Sequence, residues 1–218
     1  MKRVLVLAEG QTEERFIKDV LNPHFWEIAI DLRPTIAATK RVKSGPDFKG
    51  GITNYQKVEN DLKRLLGDSN AAAVTTFIDY YSLPEDFPGM ATRQPGNPAH
   101  RTAHVETEWQ DHIGDVRFQP YLMTHEFEAL LFSKPDEISS ALNSPGSQQR
   151  LEQVRASFST PEEINDSPIT APSKRIVSIL PGYRKVLHGT MVARRIGLPL
   201  IREECTHFSD WLDWLESL

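Results

Sequence analysis

Residues Val4–Leu21 read VLVLAEGQTEERFIKDVL. Val4, Leu5, Val6 and Leu7 make an unbroken apolar run of strand length and strand-favouring composition. A run apolar on both sides suits a strand buried in a parallel sheet, with helices above and below. Glu9 stands where that strand ends, and Gly10 permits a tight turn. Thr12 is placed to cap a helix in which Phe16, Ile17, Val20 and Leu21 recur at helical spacing. Open α/β sheets bind their ligands at the C-terminal ends of strands, so Glu9 puts an acid at a ligand position.

The same turn excludes two familiar phosphate cradles. A Walker loop needs two glycines followed by Lys and Ser or Thr, and a dinucleotide fingerprint needs three spaced glycines. Here a single glycine is surrounded by Glu9, Glu13 and Glu14. Phosphate at this helix N-terminus would be repelled by Glu13 and Glu14. Both acids also suit the first turn of a helix dipole, a purely structural role that stays open beside a functional one.

The 218 residues are enough to bury a sizeable core, with 39% hydrophobic and 25% charged residues, as in soluble globular chains. A formal charge of -5 argues against a generally sticky nucleic-acid binder but leaves room for a local basic track. The one cysteine, Cys205, excludes an internal disulfide and reads as a small buried hydrophobe. The N-terminus lacks a signal-peptide hydrophobic region, and no apolar run is long enough to span a bilayer. A cytoplasmic protein with no membrane partner is therefore expected.

Further along, Asn22-Pro23 breaks the first helix and Ile28–Ile36 predicts a second strand. A loop with Lys40, Arg41, Lys43 and Lys49 follows; it is either solvated or a contact for phosphate backbone. Tyr55–Leu66 predicts an amphipathic helix ended by Gly67. Ala71–Ile78 is a second strongly apolar strand, followed at once by Asp79, which repeats the arrangement at Glu9. If those strands are neighbours, the carboxylates of Glu9 and Asp79 converge on one crevice. Mg²⁺ favours such oxygen ligands with open water positions. His104, Glu108 and His112 share a helix face but lack the HExxH zinc spacing.

Phe118–Met123 predicts another strand, and THEFEALLF a helix capped by Thr124. His125, Glu126 and Glu128 then cluster at a strand-to-helix junction, either as metal ligands or a general base, or as acids serving the helix dipole. Pro135–Asp166 carries no chemical signature. Ala171–Arg202 holds Lys174, Arg175, Arg184, Lys185, Arg194, Arg195 and Arg202 and no Asp or Glu. Such a segment is either a phosphate-binding track, with Ser173 capping the helix of Lys174 and Arg175, or a pairing surface for the chain's excess acids. Tyr183 and His188 flank it in PGYRKVLHG. Leu198–Ile201 suggests a last strand and His207–Leu218 a last amphipathic helix, with Trp211 and Trp214 packing.

Four stretches carry a family resemblance: LAEGQTEERF, TTFIDYYSLPEDFPG, PYLMTHEFEALLF and APSKRIVSILPGYRKVLHG, joined by the tail GLPLIREECTHFSDWL. LAEGQTEERF looks like the first motif of the TOPRIM (topoisomerase–primase) superfamily. The chain as a whole resembles a bacterial TOPRIM-like domain-of-unknown-function family whose members are often encoded beside AAA-type ATPases. The resemblance implies a TOPRIM-like, Rossmann-like α/β fold, with a mostly parallel sheet flanked by helices and a helical C-terminal extension. TOPRIM proteins carry an Asp-x-Asp pair where this chain has Asp79 and Tyr81, so a two-metal site is less secure, and Glu85 or Asp86 is left to compensate. The resemblance also favours functional roles for Glu126 and Glu128 and ranks Lys185 above His188.

These observations lead to an expected core over residues 1–134 and an accessory helical, basic region over 135–218 packed on it. The expected activity is Mg²⁺- or Mn²⁺-dependent nuclease cleavage of DNA or RNA. Glu9, Glu13, Asp79, Glu126 and Glu128 are the expected metal-site acids; Glu9, Asp79, Glu126 and Lys185 are the catalytic candidates. Lys174, Arg175, Arg184 and Lys185 are expected on phosphate, supported by His125, Tyr183 and His188. The resemblance extends this to an effector of an ATPase-containing phage-defence system. The alternative is a non-catalytic subunit docked on the ATPase; an oligomer is compatible with both.

Overall fold

The computed structural model describes residues 1–37, 52, 54–164 and 169–218, so the basic loop of Lys40, Arg41, Lys43 and Lys49 lies outside the described residues. The opening apolar run forms β1 (Lys2–Ala8), buried from Val4 onward. Its parallel neighbours are β2 (Ile30–Ile36) and β3 (Ala73–Asp79), with Val4 opposite Leu32 and Ala73. β3 is buried along its whole length. Two further short strands, β4 (Phe118–Gln119) and β5 (Leu122–Met123), pair with β3 in parallel. The result is an α/β fold with the strand order β2-β1-β3-β4, β5 continuing beside β3.

Alternation along the strands divides the core between the two faces of the sheet. Val4, Val6, Ala8, Ala73 and Phe77 pack with residues of the C-terminal helices, while Leu5, Leu7, Val74 and Ile78 pack on the other side. That second side is covered by α3 (Tyr55–Leu66) and α4 (Pro98–Ile113) through Val58, Leu62, Val105 and Trp109. On the first side lie α1 (Gln11–Phe16), α2 (Asn22–Glu27) and the final helices α9 (Lys185–Ile196), α10 (Leu198–Glu204) and α11 (Thr206–Ser217). Between them run the short helices α5 (Glu128–Leu131), α6 (Pro135–Ala141), α7 (Gln148–Ala156) and α8 (Pro172–Ile179). Trp211 of α11 donates its indole N–H to Thr75 Oγ1 at 3.0 Å and stacks on Tyr121 at 4.6 Å. Cys205 is buried, as expected of a small apolar side chain. No helix among the described residues is long and apolar enough to cross a membrane.

Several local expectations are corrected. Thr12 lies inside α1, and Gly10 takes the N-cap position without a side-chain bond. Asn22-Pro23 does not end the helical path: a π turn, Ile17–Leu21, absorbs the missing proline N–H, and Pro23 sits in the first turn of α2. Asn22 instead pairs with both backbone groups of Leu32, at 3.0 Å each, along the outer edge of β2. The second strand starts at Ile30, after Ala29 turns through a φ of 61°. The strand expected over Phe118–Met123 is split, because Pro120 has no N–H to give the ladder. Thr76 Oγ1 fills the gap, donating to the Tyr121 carbonyl at 2.8 Å and accepting its N–H at 2.9 Å. Thr124 caps nothing; α5 starts four residues later behind Phe127. Leu198–Ile201 is the start of α10 rather than a strand, with Pro199 in the helical first turn, where a proline is favoured.

The start of α11 is tied to the sheet by a half-buried charge network. His207 Nε2 lies 3.0 Å from Glu106 Oε1 and 3.2 Å from the Leu122 carbonyl oxygen. The N–H groups of His207 and Phe208 donate to the Glu162 carboxylate at 3.0 Å each. Burial opposes charge on this imidazole, but the Glu106 hydrogen bond and the charges of Glu106 and Glu162 outweigh it and hold the pKa at about 9. A histidine raised in the folded state stabilises fully below its ordinary value near 6.5 and loses that contribution as pH rises through about 9. Urea unfolding should therefore show stability falling by about 2–3 kcal/mol between pH 6.5 and 9.5. His207→Gln should flatten this slope; an unchanged slope in that variant would assign it to another group.

Candidate active site

The parallel register carries β1 and β3 to a common edge. Glu9 follows β1 and donates its backbone N–H to the Phe77 carbonyl at 3.1 Å, extending the ladder by one bond. Its carboxylate turns back on the neighbouring strand: Glu9 Oε2 accepts the Asp79 N–H at 2.9 Å. Asp79 is the last residue of β3 and is buried. Its Oδ1 accepts the Phe127 N–H at 3.2 Å, so backbone from the β5–α5 junction fixes the carboxylate. The two strand-end acids expected to converge do so.

Two more acids arrive from helices. Glu13 lies in the first turn of α1 and is buried; Glu128 opens α5 and is fully buried. Lys185, the first residue of α9, places its Nζ 3.4 Å from Glu13 Oε1, 3.4 Å from Asp79 Oδ2 and 3.3 Å from Glu128 Oε2. Tyr183 donates its hydroxyl to Glu128 Oε1 at 3.4 Å. Gly189 lets α9 come this near: a Cβ there would stand 2.9 Å from Phe127 Cε1 and 3.3 Å from Tyr183 Oη. Sequence inspection missed Gly189, whose only signal is a glycine inside a helix, where it costs stability unless something needs the room.

Three carboxylates outnumber the one ammonium, and the electrostatics follow. Burial pushes the Asp79 carboxyl well above the usual carboxylate range; Lys185 opposes the rise, while Glu9, Glu13 and Glu126 reinforce it. Glu128 is raised by burial in the same way, again against Lys185. Burial weakens the charge of Lys185, yet Asp79, Glu128, Glu13 and Glu9 together hold its pKa well above the ordinary lysine value. Burial and the Glu128 charge also keep the Tyr183 hydroxyl protonated far into the alkaline range. Glu13 Oε1 and Glu128 Oε2 are buried and have no hydrogen-bond partner among the described residues; the ammonium of Lys185 faces both, at 3.4 and 3.3 Å.

The remaining candidates are arranged otherwise. Glu126 Oε2 accepts the Ser173 N–H at 3.0 Å. The N-terminus of α8, expected to bind phosphate with Ser173 as its cap, thus meets one of the protein's own carboxylates, and Ser173 caps nothing. Arg175 donates to the Thr170 carbonyl at 2.7 Å and lies 5.3 Å over the Phe158 ring, while Lys174 is exposed. His188 accepts the Arg184 N–H on Nδ1 at 2.9 Å, and burial and the Arg184 charge lower its pKa. Arg184 is exposed. His125 is buried, and its backbone carbonyl accepts the Tyr81 N–H at 3.4 Å. Tyr81 stays 40% exposed at the rim, and Asp86 does not take its place, since it accepts the Tyr55 N–H at the start of α3. His104 pairs with Thr92 and His112 with Glu59, so they do not converge.

Among the described residues no three His, Cys, Asp or Glu side chains stand in metal-ligand geometry; the acids converge on Lys185 instead. The donor set nevertheless fits a hard divalent cation: carboxylate oxygens, two of them without a hydrogen bond, in surplus over the positive charge beside them. The family model described as a domain of unknown function, DUF4276, matches residues 8–216. No curated protein and no solved structure matches the chain.

Proposed function

The chain belongs to the DUF4276 family, and from the acid cluster around Lys185 we propose that it is a Mg²⁺- or Mn²⁺-dependent phosphodiesterase of TOPRIM type, cutting DNA or RNA. The observation that carries this reading is the surplus of buried carboxylates at the C-terminal ends of two adjacent parallel strands. Glu9, Glu13, Asp79 and Glu128 would hold the metal, with Glu126 behind them. A bound divalent cation supplies Lewis-acid stabilisation of a phosphoryl oxygen and a more acidic water.

The chain's own residues do the positioning. Glu9 and the Phe127 N–H fix Asp79 from two sides. Gly189 and Tyr183 set the approach of α9, so that Lys185 reaches the acids while about a third of its side chain faces solvent. That position suits an ammonium that holds the carboxylates at rest and meets a phosphate oxygen when substrate arrives. Lys174 and Arg184, both exposed, are the outer phosphate contacts in this reading. An AAA-type ATPase partner and a phage-defence setting belong to the same proposal and rest on the family resemblance.

Thermal unfolding with added metal is the direct test. Metal at a hundred times its Kd should stabilise the protein by ~2.7 kcal/mol, about 5–10 °C for a domain of this size. The shift should disappear in Glu9→Ala and Asp79→Ala. No shift in the wild type at 10 mM Mg²⁺ or Mn²⁺ would count against the metal site. A second reading, a non-catalytic subunit docked on the ATPase, is favoured by Lys185 neutralising the acids and by Tyr81 standing where a second acid belongs. It predicts co-elution with the ATPase and neither metal response nor cleavage.

A further inference from the structure

A second charged feature lies where α1 and α9 meet. A surface pocket of about 420 Å³ between α1 and α9 is lined by Arg15, Asp19, Leu187, Thr190, Arg194 and Arg195. Three guanidinium groups thus meet one carboxylate. Elsewhere Arg3, Arg33, Arg64, Arg117, Arg155 and Arg202 are each paired with an acid. Arg194 and Arg195 have neither a hydrogen bond nor an ion pair among the described residues, and Arg15 reaches only the Val186 carbonyl, at 3.5 Å. Arg93, Arg150, Arg175 and Arg184 likewise have no ion pair among the described residues, so what distinguishes this site is that three such guanidinium groups line one pocket.

Position in the last turn of a helix accounts for Arg194 and Arg195 singly, because cations are favoured there. Arg15 stands in the last turn of α1 as well, but helix-end placement does not account for all three lining one pocket. Thr190 lines the same pocket but its hydroxyl is buried beneath the surface, so the guanidinium groups are the donors open to a ligand. Planar guanidinium donors converging on one pocket suit the non-bridging oxygens of a phosphate.

We propose that the pocket of Arg15, Thr190, Arg194 and Arg195 is a phosphate subsite that holds the sugar-phosphate backbone of a nucleic-acid strand running along α9. The assignment rests on the phosphodiesterase reading and deepens it. Lys185 and the arginines occupy opposite ends of one helix, nine and ten positions apart, or roughly 14 Å at about 1.5 Å per residue. One rigid element therefore links the acid cluster to a backbone clamp and sets how far from the clamp a strand is cut.

The test is fluorescence anisotropy of the full chain with a fluorescein-labelled 12-nucleotide single strand, DNA and RNA in separate arms, in EDTA so that nothing is cleaved. Arg194→Ala combined with Arg195→Ala should weaken binding at least tenfold at 0.1 M salt. It should also reduce the slope of log K against log salt by about 1.4, at about 0.7 per lost phosphate contact. Both side chains are exposed, so the melting temperature should be unchanged and serves as the folding control. The double lysine variant should restore the slope but only part of the affinity.

Equal affinity and slope in wild type and double alanine variant would overturn the subsite; wild-type cleavage with Mg²⁺ would then leave the phosphodiesterase reading standing. If no oligonucleotide binds, but inorganic pyrophosphate stabilises the wild type and not the variant, the pocket takes a small free phosphate and the backbone assignment fails. Oligonucleotide binding lost in the variant, without metal-dependent cleavage by the wild type, would keep the subsite and remove the phosphodiesterase.

Discussion

Asp79→Asn should lower metal-dependent cleavage of DNA or RNA at least about 100-fold, a loss of ~2.7 kcal/mol in transition-state stabilisation. The fold should survive the change. Asparagine keeps a side-chain carbonyl oxygen for the Phe127 N–H that now bonds Asp79 Oδ1, and the Glu9 carboxylate still receives the residue's backbone N–H. Burial already drives the Asp79 carboxyl towards its neutral form, so a neutral side chain suits the space. What disappears is a carboxylate that can ionise when a cation arrives at the acid cluster. Single-turnover cleavage beside thermal unfolding separates the two effects. Activity within about threefold of wild type in a normally folded variant would remove Asp79 from the chemistry, and the assignment with it.

Lys185→Met acts in the opposite direction, on stability more than on shape. Glu13, Asp79 and Glu128 would face one another without the ammonium now 3.3–3.4 Å from each. Removing one side of a buried ionic cluster is strongly destabilising, and because Lys185 is partly open to water the expected cost at pH 7 is ~3 kcal/mol. The pH dependence has a definite sign. Asp79 and Glu128 already bind protons more readily in the folded than in the unfolded state, and losing Lys185 raises them further. Lower pH therefore stabilises the variant relative to wild type, and the deficit shrinks from pH 8 towards pH 5. Lys185 itself contributes fully below the ordinary lysine value and loses its effect only as pH rises through its higher folded value. Urea midpoints at pH 5, 6, 7 and 8 read this directly. A deficit independent of pH would mean that packing, not charge, was lost.

Much of the site was legible because it obeys a local rule. A strand buried on both faces is a continuous apolar run, and the acid that ends it needs no long-range information to be noticed. Glu9 and Asp79 were found that way, and the parallel pairing of their strands brings them together. Lys185 emerged from an acid-free segment together with the family resemblance. Glu13, Asp79 and Glu128 were named as site acids too, but that they close on Lys185 was not legible, because they come from α1, β3 and α5 and only the folded sheet brings those together. Ser173 as the cap of α8 failed for the same reason: its N–H is taken by Glu126, 47 residues away, and no local pattern announces that bond. Leu198–Ile201 was misread because a short apolar run has no period that separates strand from helix. The break at Pro23 was overestimated because a π turn costs less than leaving buried residues such as Phe25 outside the core.

The Lys185–Asp79 contact joins residues 106 positions apart, and the acids all precede the lysine. A chain emerging from the ribosome therefore presents Glu13, Asp79 and Glu128 long before Lys185 exists, and α11, which pins β3 through Trp211, comes later still. Synthesis at roughly 5–20 residues per second leaves several seconds in which the acids have no lysine to neutralise them. During that interval the nascent N-terminal half cannot close its own centre.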